Sequence, residues 1–143
     1  MKIALIYWSL TGNTESMAQA VSEGILSANA VLDTYSPSTF TPELVMSYDR
    51  IALGCPAMGS ETLEEAEFEP MFESLLPFLL GKTILLFGSY GWGDGEWMRT
   101  WQKRCEDAGA IIFNSETIIA QYEADMNVLS KCKELGYAFT STK

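Results

Sequence analysis

Ile3-Ala4-Leu5-Ile6-Tyr7-Trp8, followed at once by Ser9-Leu10-Thr11-Gly12-Asn13-Thr14, is the stretch that decides the fold. Its first six residues are nearly all apolar, as in a central strand covered on both faces. Met17, Val21, Ile25 and Ala28 then recur at helical spacing, in a helix beginning near Glu15. The order is strand, hydroxyl-rich turn, helix. Such a turn gathers side-chain hydroxyls and free backbone N–H groups at a helix N-terminus, where the dipole favours an anion. No Lys or Arg stands between Ser9 and Thr14, so the anion would be held by neutral donors. The same residues also suit an ordinary Ser/Thr-capped helix. The turn alone leaves both readings open.

The missing cation narrows the ligand. A nucleoside triphosphate loop carries a lysine and a magnesium-binding hydroxyl in G-x-x-x-x-G-K-[ST], and nothing here matches it. A dinucleotide loop reads G-x-G-x-x-G, whereas this turn has Gly12 alone. A single terminal phosphate monoester fits better.

With 143 residues, 48% of them hydrophobic, the chain is expected to fold as a single domain over 1–143. Disorder is excluded by the same composition. The apolar runs are short and broken by charge, and no signal-peptide pattern precedes the first strand, so a cytoplasmic protein without a membrane span is expected. Cys55, Cys105 and Cys132 are odd in number and lack C-x-x-C spacing, which speaks against a disulfide framework or a zinc site. The chain has no histidine, which removes the commonest general base and metal ligand. A net charge of −10 repels nucleic acid and anionic membranes and attracts basic proteins, although acidity also serves solubility alone.

Outward from the turn, Ala30 to Tyr35 reads as a second strand and Pro37 to Tyr48 as a connection with a short helix after Pro42. Arg50 to Cys55 is a third strand, stopped by Pro56. A helix is expected from Glu69-Pro70 to Gly81, with proline tolerated in the first turn. Thr83 to Gly88 forms a fourth strand; Trp97, Trp101, Cys105 and Ala108 mark a helix closed by Gly109. Ile111-Ile112-Phe113 and Thr117 to Ala120 read as a fifth strand broken in the middle, before a last helix through Val128, Cys132, Leu135 and Phe139. The alternation implies a three-layer α/β fold: a doubly wound, five-stranded parallel sheet in the order 2-1-3-4-5.

In such a sheet, ligands bind beyond the carboxyl ends of the strands near the switch point. Three unusual segments fall there: Ser9 to Thr14, then Pro56-Ala57-Met58-Gly59-Ser60-Glu61, then Ser89-Tyr90-Gly91-Trp92-Gly93-Asp94-Gly95-Glu96-Trp97. Trp92 stands between glycines, which provide no core volume and cost chain entropy. A flat ligand would account for it, since offset stacking adds about 0.5–1.5 kcal/mol beyond area burial. Singly, Trp92 also suits a core or partner contact and Met58 a gap-filler. Together the segments describe a phosphate at one end and a planar ring at the other.

These residues resemble a known family. Ser9-Leu10-Thr11-Gly12-Asn13-Thr14 is similar to the [ST]-x-T-G-N-T phosphate loop of flavodoxins. Gly54-Cys55-Pro56-Ala57-Met58-Gly59-Ser60-Glu61 and Phe87-Gly88-Ser89-Tyr90-Gly91-Trp92-Gly93-Asp94-Gly95-Glu96-Trp97 resemble the two flavin loops of short-chain flavodoxins from anaerobic bacteria. The resemblance covers the whole chain. It implies the flavodoxin-like fold, non-covalently bound FMN, and one-electron transfer at low potential between redox proteins. It also implies that Ser9, Thr11, Asn13, Thr14 and the intervening amides hold the phosphate, Trp92 stacks on the isoalloxazine and Met58 flanks its other face. Glu61 would accept a hydrogen bond from flavin N3, the Gly59–Ser60 peptide would turn when N5 gains a proton, and backbone near Gly91 would meet the pyrimidine end. Leu10 stands where a small residue is common, and Pro56 where a hydroxyl could have touched the phosphate. The expected contacts also take in Gly12, Ala57, Ser89, Tyr90, Gly93, Gly95 and Trp97, with no metal and no catalytic residue; the protein is expected to be a monomer with basic-faced redox partners. A flavin reductase of the same fold is the alternative. A phosphatase of this fold fails because Cys55 is followed six positions on by Glu61 rather than arginine, and a receiver domain fails because Ser9 and Leu10 replace its acidic residues.

Overall fold

The computed structural model describes residues 1–141; Thr142 and Lys143, the end of the expected 1–143 domain, lie outside the described residues. The elements run β1 (Lys2–Tyr7), α1 (Asn13–Ser27), β2 (Val31–Tyr35), β3 (Arg50–Gly54), α2 (Phe68–Leu75), β4 (Thr83–Tyr90), α3 (Glu96–Asp107), β5 (Ile111–Ile112), β6 (Ile118–Gln121) and α4 (Met126–Ala138). Every ladder is parallel, and the sheet follows β2-β1-β3-β4-β5 with β6 also on β4.

The broken fifth strand is real. β5 lies against Thr83 and Ile84, and β6 against Phe87 to Tyr90, so both occupy one strand position. Between them is a 3-10 turn, Phe113–Ser115, in which Asn114 and Ser115 have φ of 54° and 55°. Pairing with β6 extends β4 through Ser89 and Tyr90, two residues past the expected end. α2 stops at Leu75 and passes into a 3-10 turn, Leu76–Phe78, instead of running to Gly81. Pro77 accounts for the early stop, because it has no amide hydrogen with which to continue the helical bonding.

Strand alternation divides the core. Ala4, Ile6, Ile51, Leu53, Ile84 and Leu86 face α2 and α3, where Phe68 and Phe72 meet Trp101 edge-on at 5.5 and 6.0 Å. Ile3, Leu5, Ala52, Leu85 and Phe87 face α1 and α4 through Met17, Val21, Ile25, Cys132 and Phe139. Each fully buried large side chain contributes about 1.5–3 kcal/mol by leaving water. The chain winds from β1 to β2 on one side and to β3 on the other, so the crevice opens between β1 and β3, above their carboxyl ends.

Candidate functional site

Gly12 precedes α1 with φ of 95°, a backbone costly for any L side chain. The helix has no side-chain cap there. The hydroxyls are used elsewhere: Ser9 Oγ accepts from the Glu15 amide at 3.2 Å, and Thr11 Oγ1 accepts from Asn13 Nδ2 at 3.3 Å. Thr14 and Ser89 share a buried hydroxyl–hydroxyl bond of 3.0 Å, which ties the turn to β4. Ser9 thus caps one first-turn amide, that of Glu15, so the capped-helix reading holds in part. α1 starts at Asn13, so Thr14 belongs to its first turn, whose amides have no intrahelical acceptor.

The second segment continues the sheet beyond Pro56, because the Ala57 amide donates to Ser89 O at 2.9 Å. The Glu61 amide donates to Met58 O, and the Met58 amide to Thr62 O, both at 2.8 Å. These bonds close a tight turn with Gly59 and Ser60 at its tip. Glu61 itself takes φ of 53°. Glu64 anchors the far end: its buried carboxylate accepts from the amides of Ala66, Glu67 and Phe68 at 2.7–2.8 Å. Burial pushes the Glu64 carboxyl up, but the three amides outweigh it and hold it below the usual carboxylate range.

The third segment leaves β4 at Tyr90. Trp92 is 70% exposed. Gly93 has φ of 106°, and a Cβ there would run into Glu61 Oε1, so only glycine lets the two loops meet. Gly95, with φ of 87°, precedes α3. Glu61 Oε1 is buried and has no hydrogen-bond partner among the described residues. Carboxylate oxygens of Glu61, Asp94 and Glu96 lie within 4.8 Å of one another, with Asp94 also paired to Arg99 at 3.0 Å.

An open cleft of about 230 Å³ joins these parts. It is lined by Ser9, Leu10, Thr11, Asn13, Thr14, Pro56, Ala57, Met58, Ser89, Tyr90, Gly91 and Tyr122. Gly12, Gly59, Ser60, Glu61, Trp92, Gly93 and Gly95 are not in its lining; they shape or flank the loops around it. Trp97 departs from expectation. It is 2% exposed, packs behind Tyr90 with ring centroids 5.3 Å apart, and donates from Nε1 to Cys55 O at 3.3 Å. The buried face of α3 holds it in the core together with Trp101 and Cys105.

Residues 5–136 match the flavodoxin family model. The chain belongs to the flavodoxin family. The flavodoxin of Megasphaera elsdenii is 45% identical over 136 residues, covering 95% of this chain and 96% of that protein. The flavodoxin of Clostridium beijerinckii is 41% identical over 132 residues, covering 92% and 94%. The solution structure of two-electron reduced Megasphaera elsdenii flavodoxin superposes with a TM-score of 0.86 at 46% identity, covering 95% of this chain and 96% of that one.

The site chemistry fits the FMN of flavodoxins. A single phosphate monoester suits a turn of amides and hydroxyls without a cation. The orphaned Glu61 oxygen suits a ring N–H donor, which would satisfy a buried acceptor otherwise left at a cost of about 1–3 kcal/mol. Tyr122 is the lining residue that sequence reasoning missed. It directly follows β6, and the carboxyl-end rule used for the other three loops applies to it as well.

Proposed function

We propose that this protein is a low-potential, one-electron carrier that works with non-covalently bound FMN. The observation that carries the reading is a cation-free anion turn in the lining of a cleft, with a buried, unpaired carboxylate oxygen in the loop that flanks it. Bound FMN supplies the electron chemistry. Ser9, Thr11, Asn13, Thr14 and the turn amides hold the phosphate. Met58 and Trp92 enclose the ring, and Glu61 accepts from N3. The Gly59–Ser60 peptide, at the open tip of its turn, would be the backbone group placed to offer its carbonyl to flavin N5. Glu61, Asp94 and Glu96 would disfavour added negative charge on a flavin bound beside them, which would keep its potential low.

The role is that of a carrier rather than an enzyme. Among the described residues the cleft lining holds no Asp, Glu, His, Cys or Lys, and it is shared among short loops. No helix among the described residues is long and apolar enough to cross a membrane. The net charge of −10 supports a monomeric cytoplasmic protein that meets basic-faced redox partners. Electron transfer to such a partner should slow as salt rises, because screening shortens the reach of surface charge. A rate independent of ionic strength removes charge steering from the account.

Titration of the apoprotein with FMN and FAD tests the main reading. Stoichiometric, tighter uptake of FMN and a flavin visible spectrum are expected, because the cleft has one anion turn and no second one among the described residues. Equal or preferential FAD binding overturns it. Consumption of pyridine nucleotide by the isolated protein would reveal a reductase instead.

A further inference from the structure

We propose that Tyr122 is a further cofactor contact, its ring forming a fourth wall of the cleft that retains the bound flavin. The proposal rests on the FMN reading and adds a residue from a loop that neither the phosphate turn nor the two flavin loops contain.

Tyr122 has φ of 60°, a left-handed backbone that is sterically unfavourable for a bulky residue. Such a conformation persists where the surroundings over-determine it, and strain of this kind gathers at ligand clamps. Both ends of its segment are fastened. On one side the Tyr122 amide donates to Tyr90 O, and Gln121 Nε2 donates to Gly91 O at 3.3 Å. On the other, the Asp125 side chain accepts from the Val128 amide at 2.9 Å and caps α4. The ring is thereby laid along Gly91, where an added Cβ would stand 3.4 Å from Cε1.

Yet Tyr122 is 61% exposed while lining the cleft. Burial within the protein therefore does not offset the backbone strain. A planar ligand in the cleft would do so by covering the ring, adding stacking to apolar burial. The loop also bonds to the carbonyls of Tyr90 and Gly91, so it positions the segment that the ring system must pass.

Opposite signs in two measurements give the test. FMN affinity, read from quenching of flavin fluorescence, and melting of the apoprotein are compared for wild type, Tyr122→Ala, Tyr122→Gly and Tyr122→Phe. Loss of the ring should weaken FMN binding roughly tenfold in the alanine and glycine variants, while the phenylalanine variant stays within about twofold. Glycine accepts the left-handed backbone freely, so the Tyr122→Gly apoprotein should melt no lower than wild type. Affinity within twofold of wild type in both ring-less variants overturns the proposal. So does a Tyr122→Gly apoprotein that melts lower in step with weaker binding, because the ring would then be serving the fold. Failure of the wild-type chain to take up FMN overturns the underlying reading and this proposal with it, and is visible in the wild-type titration alone.

Discussion

The turn from Ser9 to Thr14 and the loops that bring Glu61 to Gly93 differ in backbone geometry around one cleft. From Ser9 to Thr14 the chain is a short link in ordinary geometry, with one left-handed residue, Gly12, that is glycine. Its hydroxyls already have protein partners: Ser9 with Glu15, Thr11 with Asn13, and Thr14 with Ser89. Around the ring the backbone is left-handed at Glu61, Gly93, Gly95 and Tyr122, and two of these are not glycine. That region also holds a buried carboxylate oxygen without a partner. At the first end the hydroxyls are paired, while first-turn amides of α1 still lack an intrahelical acceptor. The other stores strain and unmet hydrogen-bonding capacity, which a ligand would relieve.

The largest effect should follow from Gly93→Ala, which breaks the ring side directly. The added Cβ has to displace the Glu61 carboxylate and to occupy φ of 106°. A penalty of about 3 kcal/mol, roughly a hundredfold in FMN affinity, is expected from fluorescence titration. Binding near wild type would show that the Glu61–Gly93 contact does not shape the site.

Thr14→Val tests the phosphate side. It keeps the shape of Thr14 and leaves the buried Ser89 hydroxyl without its 3.0 Å partner. Destabilisation of the apoprotein by about 2 kcal/mol is expected in chemical denaturation. If the apoprotein is unaffected and FMN affinity alone falls, the Thr14–Ser89 bond does not brace this end before ligand binding, and the contrast fails.

Gly59→Thr probes motion within the ring side. Neither Gly59 nor Ser60 is left-handed in this structure, and nothing lies within 4 Å of a Cβ at Gly59. Threonine should therefore be tolerated before reduction and opposed once the peptide turns, by about 1–2 kcal/mol. The couple between the oxidised and one-electron-reduced flavin should fall by about 40–90 mV, on a scale of about 59 mV per tenfold. An unchanged couple in a redox titration would mean that the peptide stays fixed.

Glu61→Gln keeps an acceptor and removes one charge. The lower-potential couple should become less negative by about 40 mV, the equivalent of about 1 kcal/mol. A more negative couple would contradict the placement of Glu61 beside the ring. The smallest effect concerns Glu64. Its folded-state pKa is lowered, so its contribution to stability is present above the unfolded value and is lost as pH falls through the folded one. Glu64→Gln should flatten the acid limb of the stability profile below about pH 4.5; an unchanged limb would assign it to other carboxylates.

Much of the fold was legible because its signals are local. The apolar run from Ile3, the helical spacing from Met17 and the strand order through short connections each depend on neighbours in the chain. Even the break in the fifth strand could be read between Phe113 and Thr117. The errors arose where distant elements met. Ser89 and Tyr90 joined β4 because β6 pairs with them. Trp97, read as a helix residue and also as a cofactor contact, is held in the core by the buried face of α3.

By itself the sequence determined the doubly wound sheet, the family, and a cation-free, hydroxyl-rich turn before the first helix, because periodicity, turn chemistry and the absence of Lys and Arg are properties of contiguous residues. Only the tertiary structure decided that Glu61 meets Gly93 with an oxygen left over, that Thr14 bonds Ser89, and that Tyr122 enters the cleft. Each of these joins segments far apart in the chain, and whether a polar atom finds a partner or a ring stays uncovered is settled only when separate strands place their ends side by side.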